Sequence, residues 1–200
     1  GFLASFAAAL TVPRLSWANA GSPAFLAAAK QGDGFVLCGL APDGQIVFRI
    51  PLPARGHAAA AHPIRPEAVG FARRPGTFAL VIDCARGQIA HRLTPPEGRQ
   101  FNGHGAFSAD GAWLFTSEVI AETSQGRIGV WHAARGYARI DEWPSHGIGP
   151  HELRRMGDGT LVVANGGIQT DPTDRRKLNL DTMRPNLTYL SPEGALLDQV

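Results

Sequence analysis

Short apolar runs separated by Gly-, Asp- and Pro-bearing turns recur along the chain, and nothing after residue 20 keeps the spacing of an amphipathic helix. Asp110-Gly111 and Asp158-Gly159 sit between such runs, as tight hairpins require. Ala112–Thr116 and Thr160–Ala164 come after them and read as strands. A second turn recurs four times, as Pro42-Asp43-Gly44, Ala85-Arg86-Gly87, Ala134-Arg135-Gly136 and Pro192-Glu193-Gly194. Each is flanked by strand-like sequence, for example Arg127–Trp131 before one and Gln45–Ile50 after another.

These units repeat. His57, His104 and His151 stand 47 residues apart, and each opens a similar passage. Four short strands per unit at this period predict an all-β fold built of β-propeller blades. The expected blades cover residues 23–53, 57–94, 101–144 and 148–200 of a domain spanning 21–200. The first supplies three strands and lacks a His-headed opening strand, so about four blades of an expected seven-bladed ring are present, making the chain a fragment. A complete four-bladed propeller is the rival reading.

Composition agrees with many turns: 24 Gly and 15 Pro in 200 residues, with 18% charged residues. A net charge of +2 with no Lys/Arg stripe excludes a nucleic-acid partner. Residues 1–10 are apolar but too short to span a bilayer, so no transmembrane segment is expected. With Ala18-Asn19-Ala20 ahead of Gly21, residues 1–20 read as the remnant of a cleaved secretory signal. The opening Gly-Phe-Leu resembles the stretch directly after the arginine pair of a twin-arginine signal. In an oxidising compartment Cys38 and Cys84 could pair, but both lie in apolar runs, where a buried thiol is the commoner outcome.

The repeated His begins the innermost strand of each blade, so three imidazoles reach one end of the axial channel. Fourteen residues on lie Phe71, Glu118 and Asn165. One strand out and one back returns the chain to the same face, which brings Glu118 and Asn165 toward the His row. Anchoring on the Asp-Gly turns instead aligns Asn165 with Ser117. His57, His104, His151, Glu118 and Asn165 are therefore the candidate ligands of a transition metal, iron, copper or zinc. The competing reading is structural, because a Gly-His pair heads many WD-type blades, and Ile82-Asp83 and Trp131-His132 fall where the WD dipeptide would. His62 and His146 lie in the same passages, while His91 and His132 look peripheral. No catalytic residue is assigned: hydrolase, metalloprotease, P-loop and dinucleotide motifs are all missing.

Residues 165–186 form the least repeat-like and most polar segment, between the second and third strands of the last blade. Asp171, Asp174, Arg175, Arg176, Lys177 and Asp181 there are candidates for anion recognition or for pairing with one another.

Arg65–Gly76, Pro144–His151, Asn165-Gly166-Gly167 and Lys177–Pro185 resemble domain-of-unknown-function family 1513. The resemblance implies a periplasmic propeller exported by the twin-arginine route, in a chain continuing past Val200. It also implies a place in iron acquisition beside imelysin-type proteins and a di-haem oxidoreductase, and it transfers no catalytic residue. The expected function is a binding or accessory propeller whose His-bearing face holds a metal, a metal complex or a partner protein. A lactonase-like metal-dependent hydrolase and a metal-free interaction scaffold are the alternatives.

Overall fold

Strands of alternating pleat, the central ones buried on both faces, build the fold. The computed structural model describes residues 15–174 and 176–200. Four antiparallel sheets succeed one another along the chain. The first holds β1 (Phe25–Gln31), β2 (Gly34–Leu40) and β3 (Ile46–Leu52). The second holds β4 (Gly56–Ala61), β5 (Glu67–Ala72), β6 (Ala79–Asp83) and β7 (Gln88–Leu93). The third holds β8 (Arg99–Phe107), β9 (Trp113–Ile120), β10 (Gln125–His132) and β11 (Ala138–Ile148). The fourth holds β12 (Pro150–Arg155), β13 (Leu161–Asn165), β14 (Asn186–Leu190) and β15 (Leu196–Gln199).

The described residues contain no α-helix, and the sheets do not close into a ring. The chain is an all-β array of propeller blades, as the repeat predicts. Asp110-Gly111 joins β8 to β9 and Asp158-Gly159 joins β12 to β13, with Gly111 and Gly159 in the left-handed region their turns require.

Three apolar layers hold the blades together. Leu37 and Ile50 of the first sheet meet Ala68, Leu80 and Ile82 of the second. Val69, Phe71 and Val81 face Phe101, Leu114 and Trp131 of the third. Phe115, Ile128 and Val130 meet Leu153, Leu161 and Val163 of the fourth. Consecutive residues such as Leu114 and Phe115 feed different layers because strand side chains alternate. This is why the central strands read as continuous apolar runs. Each fully buried Leu, Ile or Phe contributes about 1.5–3 kcal/mol relative to exposure.

Contrary to the expectation that the first blade lacks its opening strand, β1 packs along β4 and is itself the axial strand of its sheet. Ala27 and Ala28 suit that position: small side chains tolerate the crowding at the axis, where Cβ of Ala28 lies against Gly56. Among the described residues it is the outer strand that the first sheet lacks.

Residues 1–14 of the expected signal lie outside the described residues. Its last part, Trp17–Ala20, forms a short 3-10 turn against the first two sheets. Trp17 Nε1 donates to the His62 carbonyl at 2.8 Å, and Ala20 is buried. Cys38 and Cys84 are buried free thiols, and burial pushes the Cys84 thiol up to about 12. Its thiolate is therefore scarce at neutral pH.

Candidate metal centre

The innermost strands β4, β8 and β12 each carry a register break beside the repeated histidine. Pairing with the neighbouring strand slips between Gly56 and Ala59, between Phe101 and Gly105, and between Pro150 and Glu152. A bulge bends its strand and re-aims the side chains it carries. At the middle break, Gly103 takes a φ of +98°, and Ser117 clamps the backbone of His104 from both sides. Its Oγ accepts from the His104 N–H at 3.3 Å and donates to the His104 carbonyl at 3.1 Å.

The three bulges deliver the rings to one place. One imidazole nitrogen from each of His57, His104 and His151 lies within 4.8 Å of the other two. Ring centroids are 4.9 Å apart for His57–His104 and His104–His151, and 5.6 Å for His57–His151. Tetrahedral zinc, with bonds of about 2.0–2.1 Å, needs nitrogens about 3.3 Å apart, so modest ring rotation closes the set. His57 and His151 are exposed, whereas His104 is half-buried between them.

His104 is the most constrained of the three. Its Nδ1 lies 3.2 Å from Oε1 of Glu152 on the next blade. Its Nε2 is buried and meets no hydrogen-bond partner. Burial holds its pKa below the ordinary histidine value, with Glu152 opposing and the two other imidazoles assisting. The ring is therefore neutral at pH 7. A carboxylate on one ring nitrogen fixes the tautomer that leaves the other nitrogen as a lone pair, the usual support of a metal-binding histidine.

Glu118 does not join this group, and the Asn165 amide is spent on other partners. The Glu118 carboxylate is fully buried within the third sheet, where it accepts from Arg139 Nη2 and from Thr116 Oγ1, both at 2.6 Å. Burial raises its pKa, and the Arg139 guanidinium works against that rise. Thr116 in turn accepts from Trp131 Nε1 at 2.9 Å, so this chain of contacts stitches β9 to β10 and β11. Asn165 bonds Ser145, Asn186 and Thr188, tying the fourth sheet to the end of β11. Gly105 pairs with Thr116 and Glu152 with Ala164, so Asn165 is equivalent to Ser117, as the Asp-Gly anchoring gives.

Other histidines lie elsewhere. His62 sits just past the far end of β4 and is buried in a turn. His146 is exposed at the end of β11, where its carbonyl accepts from Gln199 Nε2 at 2.7 Å. His91 and His132 lie against Tyr137 and Trp113.

The segment between β13 and β14 folds back over the third sheet. Ser124 exchanges hydrogen bonds with the backbone of Thr170, and Gln100 Nε2 donates to the Pro172 carbonyl. Asp171 is spent locally: it accepts from Thr173 and from the Asp174 N–H, which lowers its pKa to about 2. Arg176 reaches it at 3.8 Å. Asp174 accepts from the Arg176 N–H, and Asp181 is exposed. Lys177 alone of these residues lines a cavity with His151. Arg175 lies outside the described residues. Sequence reasoning missed Glu152, which stands directly after His151 and whose reach to His104 depends on the bulge between Pro150 and Glu152.

In three dimensions the chain is similar to a chain of "Crystal Structure of Mitotic Checkpoint Complex". The TM-score is 0.58 at 13% identity, over 88% of this chain and 47% of that one. At that identity the likeness concerns the fold alone, and the chain spans about half the length of its match. No curated protein matches in sequence. Residues 50–200, which carry all three clustered histidines, match the family described as Protein of unknown function (DUF1513), and the chain belongs to that family.

Proposed function

We propose that this propeller is a metal-binding accessory protein of the periplasm with a role in iron acquisition, and that His57, His104 and His151 hold the ion. The convergence of the three imidazoles carries the reading: one nitrogen of each lies within 4.8 Å of the other two, and the buried Nε2 of His104 meets no hydrogen-bond partner. Imidazole ligands suit iron, copper or zinc, and no thiolate joins the group among the described residues. Periplasmic placement and partnership with imelysin-type proteins and a di-haem oxidoreductase rest on the family resemblance. Three protein ligands leave coordination positions open, which also favours a second reading, a metal-dependent hydrolase in which the ion activates water.

The test is the metal content of full-length protein purified from the periplasm without chelators, beside His104→Ala. About one bound ion in the wild type and a large loss in the variant is expected. A metal-free wild type that takes up no added iron, copper or zinc ends the proposal. Turnover of a lactone by the loaded protein, abolished in the variant, would select the hydrolase.

A further inference from the structure

A cavity of about 400 Å³ opens beside the histidine cluster, between the axial ends of the first two sheets. His57 and His151 form part of its wall, and Lys30, Arg55, Arg73 and Arg74 supply the charge. No acidic residue lines it among the described residues, and residues 1–14 and 175 contain none. Several arginines elsewhere find carboxylates: Arg65 meets Glu67, Arg86 meets Asp83, and Arg99, Arg127 and Arg139 all meet Glu142. Lys30, Arg55 and Arg73 have no such partner among the described residues. Like charges gathered in a concave site raise its potential and concentrate counter-ions there.

The cationic wall continues past His151. A second cavity of about 130 Å³ shares Arg74 and His151 with the first and adds Lys177 and Asn102. Asn102 is buried, its Nδ2 donates to the Pro150 carbonyl, and its Oδ1 has no partner. The hydroxyl of a protonated oxyanion such as hydrogen phosphate would donate to this orphaned acceptor.

We propose that the first of these neighbouring cavities is a binding site for a small, multiply charged oxyanion, a polycarboxylate or a phosphate, held by Arg55, Arg73 and Lys30. Guanidinium groups suit both because each presents a planar fork to paired oxygens. The site goes beyond the metal reading and does not depend on it.

The experiment titrates inorganic phosphate, and separately tricarballylate, into full-length protein stripped of metal, at low ionic strength, with glycerol as the uncharged control. Both anions are expected to bind while glycerol does not, and the Arg55→Gln/Arg73→Gln double variant should bind them at least tenfold more weakly. Lys30→Gln, on a different strand, provides the same comparison should the double variant fail to fold. The stronger of the two anions identifies the carboxylate or the phosphate class. Undetectable binding of both anions, or equal affinity in wild type and a folded variant, overturns the site. Because metal is removed beforehand, failure of the metal reading leaves this result unaffected.

Discussion

Nδ1 of His104 lies 3.2 Å from Oε1 of Glu152, across the boundary between the third and fourth sheets. The pair makes one blade's histidine depend on its neighbour's carboxylate. Glu152 also lies 3.3 Å from Arg154 Nε, so its charge is shared. Removing such an outer partner typically costs 10–100-fold in metal affinity. Glu152→Ala should weaken binding by about that range, and Glu152→Gln, which keeps an acceptor, by less. Calorimetric titration of both variants checks this, and unchanged affinity in Glu152→Ala would remove Glu152 from the site.

Glu118 is expected to behave in the opposite way. Its carboxylate neutralises Arg139 inside the third sheet and is not within the imidazole group. Breaking a buried ion pair from one side costs about 3–5 kcal/mol, reduced here because Arg139 keeps Glu142 at 2.9 Å. Glu118→Gln should lower the unfolding midpoint clearly while metal affinity stays within twofold. A loss of metal with unchanged stability would return Glu118 to the ligand set.

The different fates of Glu118 and Glu152 show what the sequence could reveal. Period, turn chemistry and apolar runs are local features, so the blades and the meeting of the three histidines were legible. Placing carboxylates needs to know which face each strand residue occupies, and a single bulge reverses that assignment. Counting fourteen residues from each histidine crosses one such break, which is why Glu118 looked axial and Glu152 was missed. The role of β1 was hidden for another reason: Phe25–Gln31 carries no histidine to mark it as an inner strand.

His62 makes the fold sensitive to acid. Its Nδ1 accepts from the backbone N–H groups of Ile64 at 3.1 Å and Arg65 at 2.9 Å, while Nε2 donates to the Gly111 carbonyl at 3.1 Å. Burial, and after it Arg65, hold the pKa below 6.5. The unfolded chain therefore binds the proton more readily than the folded one. The stabilisation is complete above about pH 6.5 and is lost as pH falls from there toward the lowered folded value. Melting temperatures measured from pH 7.5 to 5 should fall on acidification. In His62→Gln the slope should shrink, with lower stability at pH 7.5, and an unchanged slope would assign the acid sensitivity to other groups.

Gly103 sets the position of His57 from the neighbouring blade. At a φ of +98° it holds a conformation that L side chains rarely adopt, costing about 1–3 kcal/mol for a residue other than glycine. A Cβ there would also stand 2.4 Å from Cδ2 of His57 and 3.1 Å from its Cγ. The atom in the way is the edge of a side chain rather than backbone, so the ring can turn aside and the fold survives. Gly103→Ala should therefore unfold at a moderately lower temperature and bind metal much more weakly, because His57 leaves the positions of His104 and His151. Restoring space by combining Gly103→Ala with His57→Ala should recover part of the lost stability but none of the metal affinity. Stability and metal binding measured on both variants separate strain from ligation: undiminished metal affinity in Gly103→Ala would show that the ring position set by Gly103 is not needed for the site.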